Sequence, residues 1–189
     1  MRLILASASP RRAELLASSG FQFDVIPADV DEARPANESP QDYALRVAGD
    51  KARAISQQCQ DPGSVVLGAD TVVVAGNEIL GKPKDSDDAR RMLQLLSGTA
   101  HDVLTAVVIR CQSRERTAVV TTRVWFQPLD DSEISWYVDS GEPEGKAGAY
   151  AIQGRAARFI ERIDGSWSNV VGLPVATVYR LLKALDVVD

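Results

Sequence analysis

The stretch Leu3-Ile4-Leu5-Ala6-Ser7-Ala8-Ser9-Pro10-Arg11-Arg12 decides how the rest of the chain is read. Leu3 to Ala6 is short and apolar, as a buried strand is. Ser9-Pro10 then has the chemistry of a helix start. A serine hydroxyl caps the first free N–H groups, and proline fits the first helical position because its missing N–H would have no partner there. Ala13, Leu16 and Ala17 give that helix an apolar face, and Gly20 ends it. Strand, loop and helix in that order are the opening of an α/β protein.

The pattern continues outward. Phe21 to Pro27 alternates like a second strand, and residues 28–39 are a polar, acidic loop. Ser39-Pro40 repeats the helix-start chemistry, and Ala44, Ala48, Ala52 and Ile55 keep helical spacing to about Gln58. Ser64 to Ala75 is a valine-rich strand, turned by Gly76-Asn77 into a hairpin with Glu78 to Leu80. Ser86 is the expected cap of a helix carrying Ala89, Met92, Leu93 and Leu96, which Gly98 stops. Strands follow at about 102–111 and 116–127. Asp130 and Glu133 form a capping-box pattern before Ile134, Tyr137 and Val138. Residues 141–156 are glycine-rich and irregular. Phe159 to Ile163 with Asp164-Gly165 predicts another hairpin, and Pro174 starts a last helix carrying Val178, Leu181, Leu182 and Leu185. Interspersed strands and helices predict an α/β fold with a mixed sheet.

The chain has 189 residues, enough for one domain spanning residues 1–189. Hydrophobic residues make up 45%, charged residues 25%, and the net charge is −5. An acidic chain argues against broad nucleic-acid binding, which needs a basic face, but leaves room for a small basic pocket. Cys59 and Cys111 have neither disulfide nor metal-ligand spacing, which fits reduced thiols in the cytoplasm. The first apolar run is too short for a signal peptide, and no stretch approaches a membrane span.

Several residues carry chemistry. Arg11 and Arg12 sit in the first turn of a helix, where the dipole already favours an anion; they either meet solvent or share a bound anion with that terminus. Lys51, between Val47 and Ile55 at spacings of four, borders an apolar face and either snorkels or points into a polar cleft. Asp70 lies within Val65 to Val74, where a buried carboxylate needs a metal, a cation or exposure, unless it marks an edge or bulge. Read as an isolated carboxylate, it strains the strand, so Asp70→Asn is expected to keep or gain stability. Gly76 to Lys82 copies the spacing of a phosphate-binding P-loop, but Pro83 replaces the residue that would hold magnesium and the segment lies in a hairpin pattern. Lys82 keeps the option of binding phosphate as a point charge. Glu32 belongs to the acidic loop and alone reads as solvent-facing. His101 is the only histidine, which excludes a paired-histidine metal site. No serine or cysteine nucleophile has a base nearby in sequence, so hydrolysis would rely on water activated by a carboxylate or metal.

Taken together, these segments resemble the Maf family of nucleoside triphosphate pyrophosphatases. The matching stretches are Leu5 to Arg12, Glu32, Lys51-Ala52, Gly68-Ala69-Asp70-Thr71-Val72-Val73, Gly81-Lys82-Pro83, Lys146 to Gly154, and Ser168-Asn169-Val170-Val171-Gly172-Leu173-Pro174. The resemblance implies a two-lobed fold related to inosine triphosphate pyrophosphatases, with a central cleft. It implies metal-dependent hydrolysis between the α- and β-phosphates, with magnesium or manganese. Asp70 matches the family's proton acceptor. Glu32 and Asp70 match its metal-associated acids, and Ser7, Arg11, Arg12, Lys51 and Lys82 match its phosphate-binding set. Arg12, Thr71 and Gln153 match the branch that cleaves dTTP and UTP. The alternatives are the 7-methyl-GTP branch and a non-catalytic protein associated with septum formation. Gly145 departs from the Asp that often precedes Lys146, which implies a different hold on that lysine. The resemblance also suggests a homodimer.

Overall fold

The computed structural model describes residues 1–35, 37–59, 61 and 63–188. Among these, seven strands belong to one mixed sheet, in the order β2-β1-β3-β5-β6-β7 with β4 paired to β3. The chain divides into two compact units, residues 1–70, 105–120 and 172–189, and residues 71–104 and 121–171.

The first unit is built on parallel strands. β1 (Arg2–Leu5) lies between β2 (Phe23–Val25) and the start of β3 (Ser64–Ala75), pairing Leu3 with Phe23 and with Val65. Parallel neighbours need crossover connections. Helix α1 (Pro10–Ser18) supplies the first, and α2 (Pro40–Gln58) lies between β2 and β3 in the chain. Leu5, Val47, Ile55, Leu67, Ile109 and Leu182 are fully or almost fully buried in this unit. α6 (Val175–Lys183) buries Val178 and Leu182. The unit also holds the Thr105–Cys111 part of β5 (Ala100–Cys111) and the Arg114–Val120 part of β6 (Arg114–Phe126).

The second unit contains the end of β3, which pairs antiparallel with β4 (Glu78–Leu80), and α3 (Ser86–Leu96). α3 packs against α4 (Asp131–Asp139) and against a 3₁₀ turn at Ala147–Ala149. The predicted capping box of α4 is present: Asp130 accepts from the backbone of Ser132 and Glu133, and Glu133 accepts from the Asp130 N–H. A second 3₁₀ turn, Arg155–Phe159, leads into β7 (Ile160–Asp164), and α5 (Trp167–Val171) follows.

Four local expectations change. In α1 the buried residues are Arg12, Leu15 and Leu16, not Ala13 and Ala17, because Arg12 has internal hydrogen-bond partners. Ser9 makes no side-chain cap; instead its N–H donates to Ser7 Oγ at 3.2 Å. α3 is capped by Asp85, whose carboxylate accepts from Asp88 N at 2.8 Å, so Ser86 is already helical. A carboxylate there also complements the helix dipole. Finally, Asp164-Gly165 does not turn into another strand. β7 pairs back onto β6, Arg123 opposite Asp164, and Ser166 N donates to Thr122 Oγ1 at 3.0 Å. Asn169 then anchors α5 by donating to Val103 O at 2.9 Å and Thr122 Oγ1 at 3.0 Å.

Candidate functional site

Parallel strands bring their carboxyl ends to one side, where ligands of open α/β sheets gather. Ala6 N still pairs with Leu67 O at 2.8 Å, so Ser7 leaves the sheet just past that bond. β2 runs into the segment carrying Glu32, and Asp70 lies three residues beyond Leu67 on β3.

Gly68 sets the distance between helix and strand. A Cβ there would overlap the Ala48 carbonyl oxygen and stand 2.8 Å from Ala52 N. The backbone of α2 therefore lies directly on β3. Residues two apart share a strand face, so Asp70 points the same way as Gly68, toward the helix. Lys51, next to Ala52, reaches it: Lys51 Nζ donates to Asp70 Oδ1 at 2.9 Å. The two residues are only 7% and 9% exposed. The required compensation for the carboxylate is thus a cation, and Lys51 neither snorkels nor stands in open solvent.

The same ammonium lies 2.7 Å from Glu32 Oε1. Glu32 is therefore not simply solvent-facing. Its loop is strapped to α2: Tyr43 Oη donates to Glu32 O at 2.9 Å, and Arg46 Nη2 donates to Ala33 O at 3.0 Å. Arg46 also grips Glu38 with Nε at 2.8 Å and Nη2 at 3.0 Å, the two-point geometry that fixes a carboxylate best. Burial raises the Tyr43 pKa, and the charges of Asp70 and Glu32 raise it further.

Arg12 is the second buried cation. Its Nη1 donates to Ser7 Oγ at 3.0 Å and its Nε to Gly172 O at 2.8 Å. Burial lowers its pKa, the charges of Asp70 and Glu32 oppose that shift, and Arg11 adds to it. A guanidinium nonetheless stays protonated. Arg11 itself is half-buried. The first unit thus gathers Ser7, Arg12, Glu32, Lys51 and Asp70, with two buried cations and two carboxylates in mutual electrostatic reach.

The other expected residues belong to the second unit. Thr71 follows Asp70 on β3 and is half-buried. Lys82 is exposed on the loop between β4 and α3. That loop is fastened at Gly81, whose carbonyl accepts from Gly148 N at 3.1 Å. Gly148 has φ +69°, and a Cβ on it would lie 3.0 Å from the Val73 methyls, so only glycine fits comfortably. Lys146, next to Gly145, donates from Nζ to Glu144 O at 3.2 Å. Gln153 is exposed, just before Gly154 closes a turn onto Ala151 O at 3.0 Å. His101 is buried in this unit, with Nε2 2.8 Å from the Tyr150 hydroxyl. Burial lowers the His101 pKa to about 4 and raises that of Tyr150.

Sequence reasoning missed Tyr43 and Arg46, and it quoted Gly68 only as part of a matching stretch, without its packing role. Tyr43 had a signal: Tyr43, Val47 and Lys51 follow one another at spacings of four, on one helix face. Gly68 had another, as a glycine inside a strand that marks close backbone approach. Arg46 had none, because its partners Glu38 and Ala33 lie outside its helix.

Among the described residues, no helix is long and apolar enough to cross a membrane. A family model described as Maf-like protein matches residues 2–185. The chain is 56% identical over 186 residues to a dTTP/UTP pyrophosphatase of Anaeromyxobacter dehalogenans, covering 96% of this chain and 93% of that one. It is 49% identical over 183 residues to a dTTP/UTP pyrophosphatase of Vibrio parahaemolyticus, covering 97% and 96%. Among solved structures it is similar to a nucleoside-triphosphatase / dITP/XTP pyrophosphatase from Mycobacterium abscessus, at 15% identity and a TM-score of 0.44, over 98% of this chain and 97% of that one.

Proposed function

The chain belongs to the Maf-like family, and from that premise we propose that it hydrolyses dTTP and UTP to the nucleoside monophosphate and pyrophosphate. The observation that carries the reading is the buried Lys51 ammonium held between Glu32 and Asp70, with buried Arg12 in electrostatic reach of both acids. A triphosphate carries about four negative charges, so charge neutralisation dominates its binding. Arg12, Lys51 and Ser7 bind phosphate oxygens in this reading, as do Arg11 and Lys82, and Thr71 and Gln153 serve substrate choice. Asp70 takes a proton from water as the water oxygen bonds to the α-phosphorus. The bridging oxygen leaves on pyrophosphate with the bonding pair.

In this reading the same acids would hold a divalent ion. Glu32 and Asp70 each place an oxygen on the Lys51 ammonium, at 2.7 and 2.9 Å, so the two carboxylates lie close enough together to share an ion beside it. Two carboxylates completed by phosphate oxygens and water are the usual magnesium set, and manganese accepts the same oxygens. When bound, such an ion neutralises and polarises the phosphates. The proposal extends to a cytoplasmic enzyme with a single domain over residues 1–189, which assembles as a homodimer.

The test is pyrophosphate release from dTTP, UTP, ATP, GTP and 7-methyl-GTP, with magnesium and manganese varied and Asp70→Asn as the control. Release from the pyrimidine nucleotides that disappears in the variant supports the proposal. A preference for 7-methyl-GTP points to the other branch, and release from none of them removes the enzymatic reading.

A further inference from the structure

The glycine-rich segment that carries Gln153 is held by a pair of side chains, Tyr137 and Glu142, that lie outside the motif stretches quoted for the resemblance. Tyr137, on α4, is fully buried. Its hydroxyl donates to Glu142 Oε1 at 2.9 Å and accepts from Ala151 N at 3.2 Å. Glu142 in turn accepts from Arg155 N through Oε2 at 3.0 Å and from Ala156 N through Oε1 at 3.4 Å. Ser140 fixes the Glu142 backbone, with Oγ accepting from Glu142 N at 3.2 Å. Gly154 shows how tightly the carboxylate is seated, since a Cβ there would stand 2.6 Å from Glu142 Oε2. The amides on both sides of Gln153 are therefore tied to one hydrogen-bonded pair, and a carboxylate accepting several N–H groups is a strong anchor.

We propose that Glu142, braced by Tyr137, is a positioning residue that holds Gln153 in its nucleotide-binding place. The inference rests on the reading of Gln153 as a substrate-binding residue. Gln153 itself is exposed, so its own packing does little to fix it, and its precision comes from the backbone on either side. Binding groups need this kind of support to keep a productive geometry.

The experiment is a double-mutant cycle on the full-length chain, combining Glu142→Gln with Gln153→Ala and measuring kcat and KM for UTP. Melting temperature and hydrogen exchange at the Arg155 and Ala156 amides are followed in parallel. Glu142→Gln should raise KM about tenfold, the order expected for losing a hydrogen bond to a charged group, with kcat changed less than about twofold. Exchange at both amides should speed up. The double variant should be no worse than Gln153→Ala alone, because Glu142 acts through Gln153. Glu142→Asp, which keeps the charge, should recover part of the KM. Independent, additive losses, or a lower melting temperature with KM unchanged, would overturn the proposal. If Glu142→Gln does not fold, Tyr137→Phe tests the same anchor under the same criteria. The proposed reaction is judged separately by wild-type turnover; a wild type that turns over UTP while Gln153→Ala leaves its KM unchanged removes the premise for Gln153, and this inference with it.

Discussion

Asp70 and Lys51 hold each other inside the first unit, and the consequences for Asp70→Asn are of two kinds. In the proposed reaction the carboxylate accepts a proton, and asparagine does not. Turnover of UTP should fall by at least about a hundredfold, the lower bound for general-base help. Stability should fall as well, against the expectation drawn from an isolated carboxylate. The variant leaves a 7%-exposed ammonium with Glu32 as its remaining carboxylate partner, and unpairing a buried charge is destabilising. Because Glu32 stays, the loss should be about 1–3 kcal/mol, read from denaturant unfolding. Unchanged stability would mean that Lys51 and Asp70 are not paired in solution. His101 gives a prediction of another kind. Its folded-state pKa is about 4 against an ordinary 6.5, so the unfolded chain binds a proton that the folded chain refuses. Its contribution is fully present above pH 6.5 and is lost as pH falls toward 4, and the span corresponds to about 3 kcal/mol. The measurement is the stability difference between wild type and His101→Phe across that window. It should shift in favour of the variant as pH falls, and a flat difference would refute the assignment.

At the scale of elements, the contact of α2 with β3 decides whether the Lys51–Asp70 pair forms. Gly68→Ala puts a methyl against the Ala48 carbonyl and the Ala52 amide, both backbone and unable to rotate away. The helix must lift, with a loss of about 1–3 kcal/mol typical of overpacking. Lys51 moves with it, so kcat/KM should drop more than the folded fraction does. A variant with normal kcat/KM and melting temperature would show that the approach is not tight. This contact also shows what was legible in advance. The opening strand and helix, α2 and β3 were readable because apolar runs, prolines at helix starts and helical spacing act within a few residues. The cap of α3 lies one residue before the Ser86 that the pattern suggests, because Asp85 and Ser86 both suit that position and backbone angles choose between them. β7 was recognised as a strand, but its partner was not, since pairing with β6 is a long-range choice. α5 depends on Asn169 reaching Val103 and Thr122, contacts that leave no local pattern. The site divides in the same way. Asp70 announced itself by being a carboxylate among valines, whereas the grip of Arg46 and Tyr43 on the Glu32 loop exists only in three dimensions.

For the molecule as a whole, the net charge of −5 opposes a polyanionic substrate, so local cations have to overcome the general field. In the proposed reaction Arg12 and Lys51 supply part of that, and a divalent ion held by Glu32 and Asp70 supplies the rest. EDTA should abolish pyrophosphate release, and magnesium or manganese should restore it; full turnover in excess chelator would refute the metal assignment. Base choice is the sharper test, because it asks more than charge. Uracil and thymine present an N–H beside carbonyl acceptors, and the Gln153 amide offers one acceptor and one donor to match. Adenine also presents a donor beside an acceptor, N6–H beside N1 or N7, and a glutamine amide can pair with both. Guanine shows N–H beside a carbonyl, as uracil does. Discrimination against ATP, GTP and 7-methyl-GTP must therefore come from the shape around the amide as well as from the amide itself. kcat/KM for dTTP and UTP should exceed that for ATP, GTP and 7-methyl-GTP by about a hundredfold or more. Gln153→Ala should narrow the gap between UTP and the purine nucleotides, because the pyrimidine loses its pairing with the amide while size still disfavours the purines. An unchanged ratio would show that Gln153 does not touch the base.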